Sequence, residues 1–308
     1  MQPRVPIPEQ LAGRAFRRAD AAAAGLGRDR FNGRDLQRSF RGVRSNGLDL
    51  TLTSDRCRAY ATRMPTDHAF SHLTAAELLR VPLPWASRQS TALHVSAPPG
   101  QPVPRVRGVV GHNADTSLAV IVDGLRVLPP VLVWCQLAGL LHPLALTAAG
   151  DFLLGGRRPL ASMEELATAV EQWAPRRGTA ALRQALPRLR AGVDSPKETE
   201  LRLLLLAFGL PEPVVNRRYH DDRGVYLGRA DLSWPEWRIV IKYEGDQHRT
   251  SREIFRQDLA RRERFESAGW SVIRATDDDL GIARREFEHT VRARIRRQCH
   301  LLGIETAV

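Results

Sequence analysis

The chain has 308 residues, of which 43% are hydrophobic, and it carries a formal net charge of +12 at pH 7. A chain of this length and apolar content can bury more than one hydrophobic core, so we expect about two or three domains. It contains no run of about 18 apolar residues, and its first residues, MQPRVPIPEQ, lack the apolar core of a signal peptide. These features exclude a membrane-protein class and favour a soluble, cytoplasmic protein.

Positive charge is concentrated in the first two-thirds of the chain. Lys and Arg outnumber Asp and Glu by 12 to 6 in residues 1–60 and by 13 to 8 in residues 61–190, against 21 to 20 in residues 191–308. Lys197 and Lys242 are the only lysines, so nearly every cation is a guanidinium, which suits bidentate contact with phosphate. This balance predicts a polyanionic partner such as duplex or nicked DNA. The alternative is that the excess of positive charge reflects only an arginine-rich composition and no polyanionic partner.

Residues 1–68 are predicted to form a winged-helix-like DNA-binding domain. A helix over about Arg17 to Ala24 ends at Gly25, and a second, basic helical segment runs from about residue 28 to residue 38. This spacing is typical of a helix-turn-helix, and the segment resembles the N-terminal winged helix of AbiEi-type antitoxins. The alternative is a basic helical hairpin that only packs on its neighbours. The arginines predicted to contact DNA are Arg28, Arg30, Arg34, Arg38 and Arg41.

Residues 69–165 are predicted to form a small mixed α/β domain that links the flanking segments or shapes DNA. Strand-like runs alternate with Pro and Gly breaks between Leu93 and Val122, which predicts a small antiparallel sheet. The run from Pro130 to Leu141 is apolar nearly all round, as in a buried helix. Residues 166–193 are basic, helical and interrupted by proline, which predicts a connector.

The cysteines and the nearby histidines lack the spacing of a zinc motif. Cys57, Cys135 and Cys299 show no CxxC or Cys/His pattern, so they are predicted to be buried apolar residues. His68 and His72 are four residues apart, but no carboxylate of HExxH type accompanies them. Ordinary polar contacts are therefore predicted for these two histidines.

Residues 194–308 are predicted to run helix, three strands, helix, strand, helix. The first helix begins with Ser195 as its N-cap, Pro196 at its first position and Glu198 in the capping-box position. The strands are followed by an arginine-rich helix and then by a final strand and helix. The segment therefore has the element order αβββαβα.

An acidic hairpin lies at the centre of this C-terminal segment. Strand-like runs at Tyr226 to Ser233 and Trp237 to Glu244 flank a turn that contains Pro235. They place Asp231 on one strand and Glu244 on its neighbour. A buried pair of carboxylates is usually held together by a hard cation such as Mg²⁺. A solvent-exposed pair does not indicate a metal site.

Several ordered motifs connect this segment with a known family. The matching words are SPKETELRLLL, LGRADLSWPEWR, YEGDQHR, RQDLARRERFESAGWSVIRAT and DDDL, and they cover the chain from about Asp194 to its end. They resemble the very-short-patch-repair-like endonuclease domains of the PD-(D/E)XK superfamily. The resemblance implies metal-dependent hydrolysis of phosphodiester bonds with Mg²⁺ or Mn²⁺. Together with the N-terminal segments it implies an α+β multidomain protein.

The resemblance also implies a metal site on the hairpin. Asp231 stands at the aspartate of the family's R-x-D motif, and Glu244 stands where the family usually has aspartate. With the carbonyl of Tyr243 they are predicted to bind the metal, which would polarise the phosphodiester and lower the pKa of the attacking water. Glu198 stands at the family's first-helix glutamate, and its capping role is an equal alternative.

Lys242 departs from the family, which has glutamate at this position. One interpretation is a weakened or inactive site in which the ammonium replaces the metal as the counter-ion of Asp231 and Glu244. The other is that Lys242 acts as the lysine of a D/E-x-K motif and positions water or steadies the phosphorane. The acid that this motif expects two residues earlier is Val240 here. The sequence leaves both interpretations open.

Two further motifs extend the predicted site. Gln247 and His248 match the Q-H that follows the family's glycine, and His248 is predicted to activate water or to protonate the leaving oxygen. A histidine of a surface loop is the alternative. Asp258, Arg261 and Arg262 resemble the family's D-x-x-R helix, which either pairs within the helix or reaches a phosphate.

The sequence as a whole predicts a DNA-binding protein with a metal-dependent endonuclease-like domain that Lys242 weakens or leaves active. The alternative is a catalytically inactive DNA-binding regulator of antitoxin type. A partner protein from a defence or toxin–antitoxin system fits either function.

Overall fold

The computed structural model describes residues 5–245 and 252–305, and for residues 252–257 it describes the backbone alone. The described residues form a mixed α+β structure with three β-sheets, which confirms the predicted fold class at this level. No helix in these ranges is long and apolar enough to cross a membrane. Cys57, Cys135 and Cys299 are buried, as predicted.

The described residues form thirteen α-helices and twelve strands. The helices are α1 (Arg18–Ala23), α2 (Arg28–Phe31), α3 (Thr53–Ala61), α4 (His72–Leu78), α5 (Trp85–Arg88), α6 (Pro130–Leu137), α7 (Pro143–Leu154), α8 (Met163–Trp173), α9 (Thr179–Ala185), α10 (Pro196–Ala207), α11 (Arg252–Ser267), α12 (Asp277–Leu280) and α13 (Arg284–Leu302). The strands are β1 (Ala15–Arg17), β2 (Gln37–Phe40), β3 (Val43–Ser45), β4 (Ala69–Phe70), β5 (Leu93–Ala97), β6 (Val109–Asn113), β7 (Val120–Val122), β8 (Leu125–Val127), β9 (Val214–His220), β10 (Tyr226–Trp234), β11 (Ile239–Tyr243) and β12 (Ser271–Ala275).

The chain divides into two compact units. The first comprises Met1–Leu141 and Glu164–Leu182, and the second comprises His142–Met163 and Arg183–Val308. The first unit therefore holds the three-stranded and five-stranded sheets, and the second holds the four-stranded sheet with the acidic hairpin.

The second helix of the first unit is shorter than the sequence pattern predicts. α2 ends at Phe31, whereas a basic helical segment was expected as far as Arg38. The chain turns at Gly33, Leu36 is buried in the local core, and β2 then pairs with β3. Arg34 thus lies in a turn and Arg38 on a strand, so the prediction of one continuous basic segment is wrong.

The five-stranded sheet has the strand order β6-β5-β4-β8-β7. Its β4–β5 and β7–β8 pairs are antiparallel, but its β5–β6 and β4–β8 pairs are parallel. The prediction of an antiparallel sheet is therefore wrong for two of the four pairs. The segment between Ala97 and Val109 is about a dozen residues long, which is enough for a crossover that returns the chain to the same end of the sheet.

The four-stranded sheet of the second unit has the strand order β12-β11-β10-β9. Its first three strands in sequence are antiparallel, and β12 adds in parallel to β11. One face carries an apolar cluster with α10 and α13, in which Leu205, Ile241 and Val291 are buried. Val240 of β11 and Phe265 of α11 belong to a separate apolar cluster. Neighbouring residues of a strand point to opposite faces of the sheet, so Val240 and Ile241 enter different clusters. The predicted element order is present, with α12 in addition.

A buried ionic network joins α7 to α10 within the second unit. Arg202 and Asp151 are almost fully buried, and their side chains lie 2.9 Å apart (Arg202 Nη2 to Asp151 Oδ2). The same Asp151 carboxylate accepts hydrogen bonds from Thr199 Oγ1 at 2.8 Å and from the Arg190 N–H at 2.7 Å. Arg202 also pairs with Glu212 at 2.9 Å. Every oxygen of this buried carboxylate therefore has a donor.

Candidate functional site

Asp231 lies where the paired part of the acidic hairpin ends. The pairing of β10 with β11 extends to Leu232 opposite Ile241, and Asp231 is the next residue of β10. Its Oδ2 accepts a hydrogen bond from the backbone N–H of Tyr243 at 3.0 Å. A side-chain oxygen, rather than a strand carbonyl, thus satisfies this N–H.

The surroundings of Asp231 disfavour its ionised form. Burial raises the pKa of this carboxyl from its ordinary 3.8, and the negative charge of Glu198 raises it further, to about 6. The Tyr243 N–H and the positive charges of Lys242 and Arg261 lower the pKa but do not offset these effects. A cation bound beside the two acids would remove the repulsion, so the pair has the electrostatics of a cation site.

Glu198 performs the capping role that the sequence predicted. The Oγ of Ser195 accepts the Glu198 N–H at 3.2 Å and donates to Glu198 Oε1 at 3.0 Å. Glu198 Oε2 accepts from the Asp194 N–H at 3.1 Å and from Asn216 Nδ2 at 2.6 Å. The same carboxylate also lines the cavity of Asp231, so the capping role and the site position belong to one side chain.

Asp231 and Glu198 share a cavity of about 540 Å³ whose described lining is mostly charged. Three guanidinium groups stand around the two acids, and one of them, Arg229, pairs with Asp194 at 2.5 Å. Carboxylate oxygens suit a hard divalent cation, and guanidinium groups suit phosphate. The charged residues of the lining are Asp194, Glu198, Asp231, Arg229, Arg261 and Arg264.

Glu244 and Lys242 line a second cavity, of about 260 Å³. The Glu244 carboxylate forms an ion pair with Arg274 of β12, and Lys242 Nζ lies 2.5 Å from Asp258 Oδ1 of α11. Asp231 is not among the described residues that line this cavity. The two carboxylates predicted to share a metal thus line different cavities, because Arg274 on the neighbouring strand holds Glu244.

Asp231 differs from these neighbours in having no ion pair. Lys242 is engaged by Asp258, and Arg261 also approaches Asp258, at 3.5 Å. Across residues 5–245 and the described side chains of 258–305, no lysine or arginine forms a salt bridge with Asp231. Lys242 and Arg261 act on Asp231 only through longer-range charge.

The remaining residues of the predicted hairpin site have separate positions. Tyr243 reaches Asp231 through its backbone N–H, while its hydroxyl bonds to Asp277. Burial and the charge of Asp277 raise the pKa of this hydroxyl to about 12. Gln247 and His248 lie outside the described residues.

The arginines predicted to contact nucleic acid divide into free and paired groups. Arg30 pairs with Asp35 at 2.9 Å, and Arg262 pairs with Glu266 at 2.7 Å within α11. Arg261 lines both cavities. The exposed arginines of the N-terminal set are Arg28, Arg34, Arg38 and Arg41.

Three histidines of the first unit form a cluster that the sequence did not predict. His72, His94 and His112 each offer a ring nitrogen, and these atoms lie within 4.8 Å of one another. Burial lowers the pKa of His72 to about 3 and that of His94 to about 4, and it also lowers the pKa of His112. His68, which the sequence paired with His72, instead lies 3.9 Å from Asp67.

Comparison with known proteins gives relatives without a named activity. Two proteins of Mycobacterium tuberculosis, from the strains CDC 1551 / Oshkosh and ATCC 25618 / H37Rv, are similar to the chain, and both are described as uncharacterized. Each is 27% identical over 215 residues, which is 68% of this chain and 78% of the relative. No protein-family model matches the chain, and no solved structure matches it.

Proposed function

We propose that the protein binds DNA and that its second unit is a metal-dependent endonuclease that hydrolyses phosphodiester bonds. The observation that carries this proposal is Asp231, a half-buried carboxyl of β10 that shares a cavity with Glu198 and whose pKa is raised to about 6. A buried carboxylate next to another acid is costly to ionise, and such groups cluster at functional sites.

The fold of the second unit supports this assignment. Its order of elements, with α10 before three antiparallel strands, then α11, the parallel strand β12, the short α12 and α13, resembles the order expected of a PD-(D/E)XK core. Asp231 and Glu198 occupy the strand and helix positions at which the very-short-patch-repair-like family carries acids. We therefore propose that this unit belongs to that group of nucleases.

The residues around Asp231 fit a hard divalent cation, which we propose to be Mg²⁺ or Mn²⁺. Asp231 and Glu198 supply carboxylate oxygens, and the carbonyl of Tyr243 is the proposed third donor. Glu244 fits this site only if it leaves Arg274. When bound, the metal polarises the phosphodiester and lowers the pKa of the attacking water.

The other charged residues of the cavity have roles that do not depend on the metal. Arg229, Arg261 and Arg264 line the cavity of the two acids, where guanidinium groups would orient a phosphate by paired hydrogen bonds. Lys242 of β11 forms an ion pair with Asp258 and contributes positive charge to the hairpin. We retain His248 as the proposed proton-transfer group and Gln247 as its neighbour.

DNA binding by the first unit is proposed on its shape and charge. α1, the turn at Gly25 (φ 80°), α2 and the β2–β3 hairpin follow one another as in a winged helix. Four exposed arginines on and after α2, for which no salt bridge is formed among the described residues, offer phosphate contacts. They are Arg28, Arg34, Arg38 and Arg41.

A catalytically inactive, antitoxin-like regulator is the second candidate function. Two ion pairs favour it: Lys242, which pairs with Asp258, stands where the resembling family has glutamate, and Arg274 neutralises the Glu244 carboxylate that was predicted to bind the metal. Such a protein would retain the nuclease fold for contact with DNA or with a partner protein from a defence or toxin–antitoxin system.

Nicking of supercoiled plasmid by the tag-free full chain in Mg²⁺ or Mn²⁺ tests the proposal. The wild type and Asp222→Asn, which changes an exposed loop aspartate, are expected to nick the plasmid. Asp231→Asn keeps an acceptor for the Tyr243 N–H but removes the charge, and its nicking is expected to fall to background.

Lys242→Glu separates the two candidate functions in the same assay. Activity that appears only in this variant would identify a dormant nuclease and favour the regulator. Nicking that Asp231→Asn leaves unchanged would place the activity elsewhere and would end the proposal for this cavity.

Affinity for duplex DNA as a function of salt tests the first unit. The quadruple variant Arg28→Gln, Arg34→Gln, Arg38→Gln, Arg41→Gln is expected to reduce the salt slope by up to about 4, since each lost phosphate contact removes about 0.9 from the slope. Arg58→Gln, which removes an arginine paired with Asp55, is the control. An unchanged slope in the quadruple variant would contradict the proposed interface.

A further inference from the structure

Two adjacent strands and the start of α4 bring one histidine each together on the five-stranded sheet of the first unit. His94 lies on β5 and His112 on β6, and because these strands pair in parallel with Ser96 opposite His112, the two histidines lie on the same face, two residues apart in register. His72 follows β4 after Ser71, whose backbone N–H donates to the His94 carbonyl at 3.0 Å. The register of the sheet therefore sets the positions of all three rings.

The rings are packed closely, with their nitrogen atoms together. His94 Nδ1 and His112 Nε2 are 3.0 Å apart, and the rings of His72 and His112 stack with centroids 3.7 Å apart. Ligand nitrogens in a tetrahedral zinc site, with bonds of 2.0–2.1 Å, are about 3.3 Å apart. The His94–His112 pair already has this spacing, and His72 needs only a small movement of its ring from within 4.8 Å.

Three buried polar residues form hydrogen bonds with two of these histidines. Gln136 Oε1 accepts the backbone N–H of His72 at 2.9 Å, and Thr74 Oγ1 accepts the backbone N–H of His94 at 2.8 Å. Ser71 Oγ lies 3.1 Å from His72 Nδ1, which leaves Nε2 of that ring to face a ligand. Such supporting contacts orient the ligands of metal sites.

The backbone conformation of His72 is a further indication of a binding site. Its φ of 50° is in the left-handed region, which a non-glycine residue adopts at an energetic cost. This conformation places the ring of the first residue of α4 over His112 rather than along the helix. Strain of this kind is concentrated at binding sites and active sites.

We propose that His72, His94 and His112 form a binding site for Zn²⁺ or a similar borderline divalent metal. Three imidazole ligands suit zinc and are poor ligands for Mg²⁺, so this site is chemically different from the acidic cavity of the second unit. The three ligands leave a fourth position for water, as in zinc sites that act on a ligand rather than closed structural sites.

Zinc content and affinity of the tag-free full chain test this site. After treatment with a chelator and reloading with ZnCl₂, the wild type is expected to retain about one zinc ion per chain. Inductively coupled plasma mass spectrometry measures this zinc content. His112→Ala removes a half-buried ligand on an edge strand, and its affinity is expected to fall by more than about 100-fold, beyond the range for loss of a supporting contact. Ser71→Ala is expected to weaken binding by about 10-fold.

His289→Ala is the matched control, because it removes an exposed histidine of α13. It is expected to bind zinc as the wild type does. Equal loss in both variants, or equal retention in both, would overturn the site.

Cobalt spectroscopy keeps the test independent of how the variants fold. The wild type loaded with Co²⁺ is expected to show the intense visible bands of a four-coordinate ion, and Zn²⁺ is expected to displace it. A chain that takes up neither Zn²⁺ nor Co²⁺ would contradict the proposal.

Discussion

Two aspartates of the second unit, the buried Asp151 and the half-buried Asp231, show different ways of accommodating a carboxylate. Asp151 contacts Arg202 at 2.9 Å and accepts two further hydrogen bonds. Burial raises its pKa above the ordinary 3.8, although the guanidinium and the hydrogen bonds lower it. Asp231 has one N–H donor, and its strongest charged influence is the negative Glu198.

The difference shows that burial alone does not identify a functional acid. What separates the two aspartates is the sign of the strongest charged influence, since Arg202 compensates Asp151 whereas Glu198 opposes Asp231. A compensated carboxylate contributes to the fold, and an uncompensated one is retained at a cost in stability. The following predictions test this distinction from the largest effect to the smallest.

Breaking the compensated pair is expected to have the largest effect. Arg202→Met leaves the buried Asp151 without its cation, so the free energy of unfolding should fall by about 3–5 kcal/mol. Urea denaturation at pH 7 measures this loss. Arg58→Met, which removes a surface ion pair with Asp55, should cost less than about 1 kcal/mol. Equal effects of both variants would show that Arg202 does not compensate a buried charge.

Removing the uncompensated charge is expected to have the opposite sign. Because the folded pKa of Asp231 is raised from 3.8 to about 6, its stabilising effect is complete below pH 3.8 and is lost as the pH rises through 6. Asp231→Asn does not titrate, so it should match the wild type near pH 4 and exceed its stability by about 2–3 kcal/mol at pH 8. Urea denaturation at the two pH values provides the measurement. A variant less stable than the wild type at pH 8 would contradict the raised pKa.

A smaller effect is expected from the neighbour that opposes Asp231. Glu198→Gln keeps one oxygen as a hydrogen-bond acceptor for the Asp194 N–H but removes the negative charge. The pKa of Asp231, followed by carbon NMR of labelled aspartate, should fall below 6. Glu244→Gln is the matched control, because Arg274 holds that carboxylate in the other cavity. If the pKa of Asp231 fell only in Glu244→Gln, the result would instead support the pairing of Asp231 with Glu244 that the sequence predicts.

Local sequence signals predicted much of the second unit. The Ser195, Pro196 and Glu198 pattern marks the start of α10, and the arginine-rich helix predicted after the hairpin is present as α11. Alternating apolar residues around Pro235 predicted the hairpin and placed Asp231 on its strand. These features depend on neighbours within a few residues, which a single sequence contains.

Features that depend on distant partners were not predictable in this way. The partner of Glu244 is Arg274, thirty residues away on a strand whose parallel register only the folded sheet defines. The histidine cluster likewise joins β5, β6 and the start of α4, and the spacing of 18 positions from His94 to His112 matches no local motif. The strand-like words ALHVSA and VRGVVGH contained the available signal, because each carries one histidine.

Binding of Mn²⁺, measured from the EPR signal of the free ion, tests the central claim that Asp231 and Glu198 form a cation site. The tag-free full chain, with zinc present to occupy nitrogen ligands, is expected to bind about one Mn²⁺, and Asp222→Asn should bind it equally. Asp231→Asn should weaken binding by at least about tenfold. Mn²⁺ binding of equal affinity in the wild type and Asp231→Asn would contradict the account.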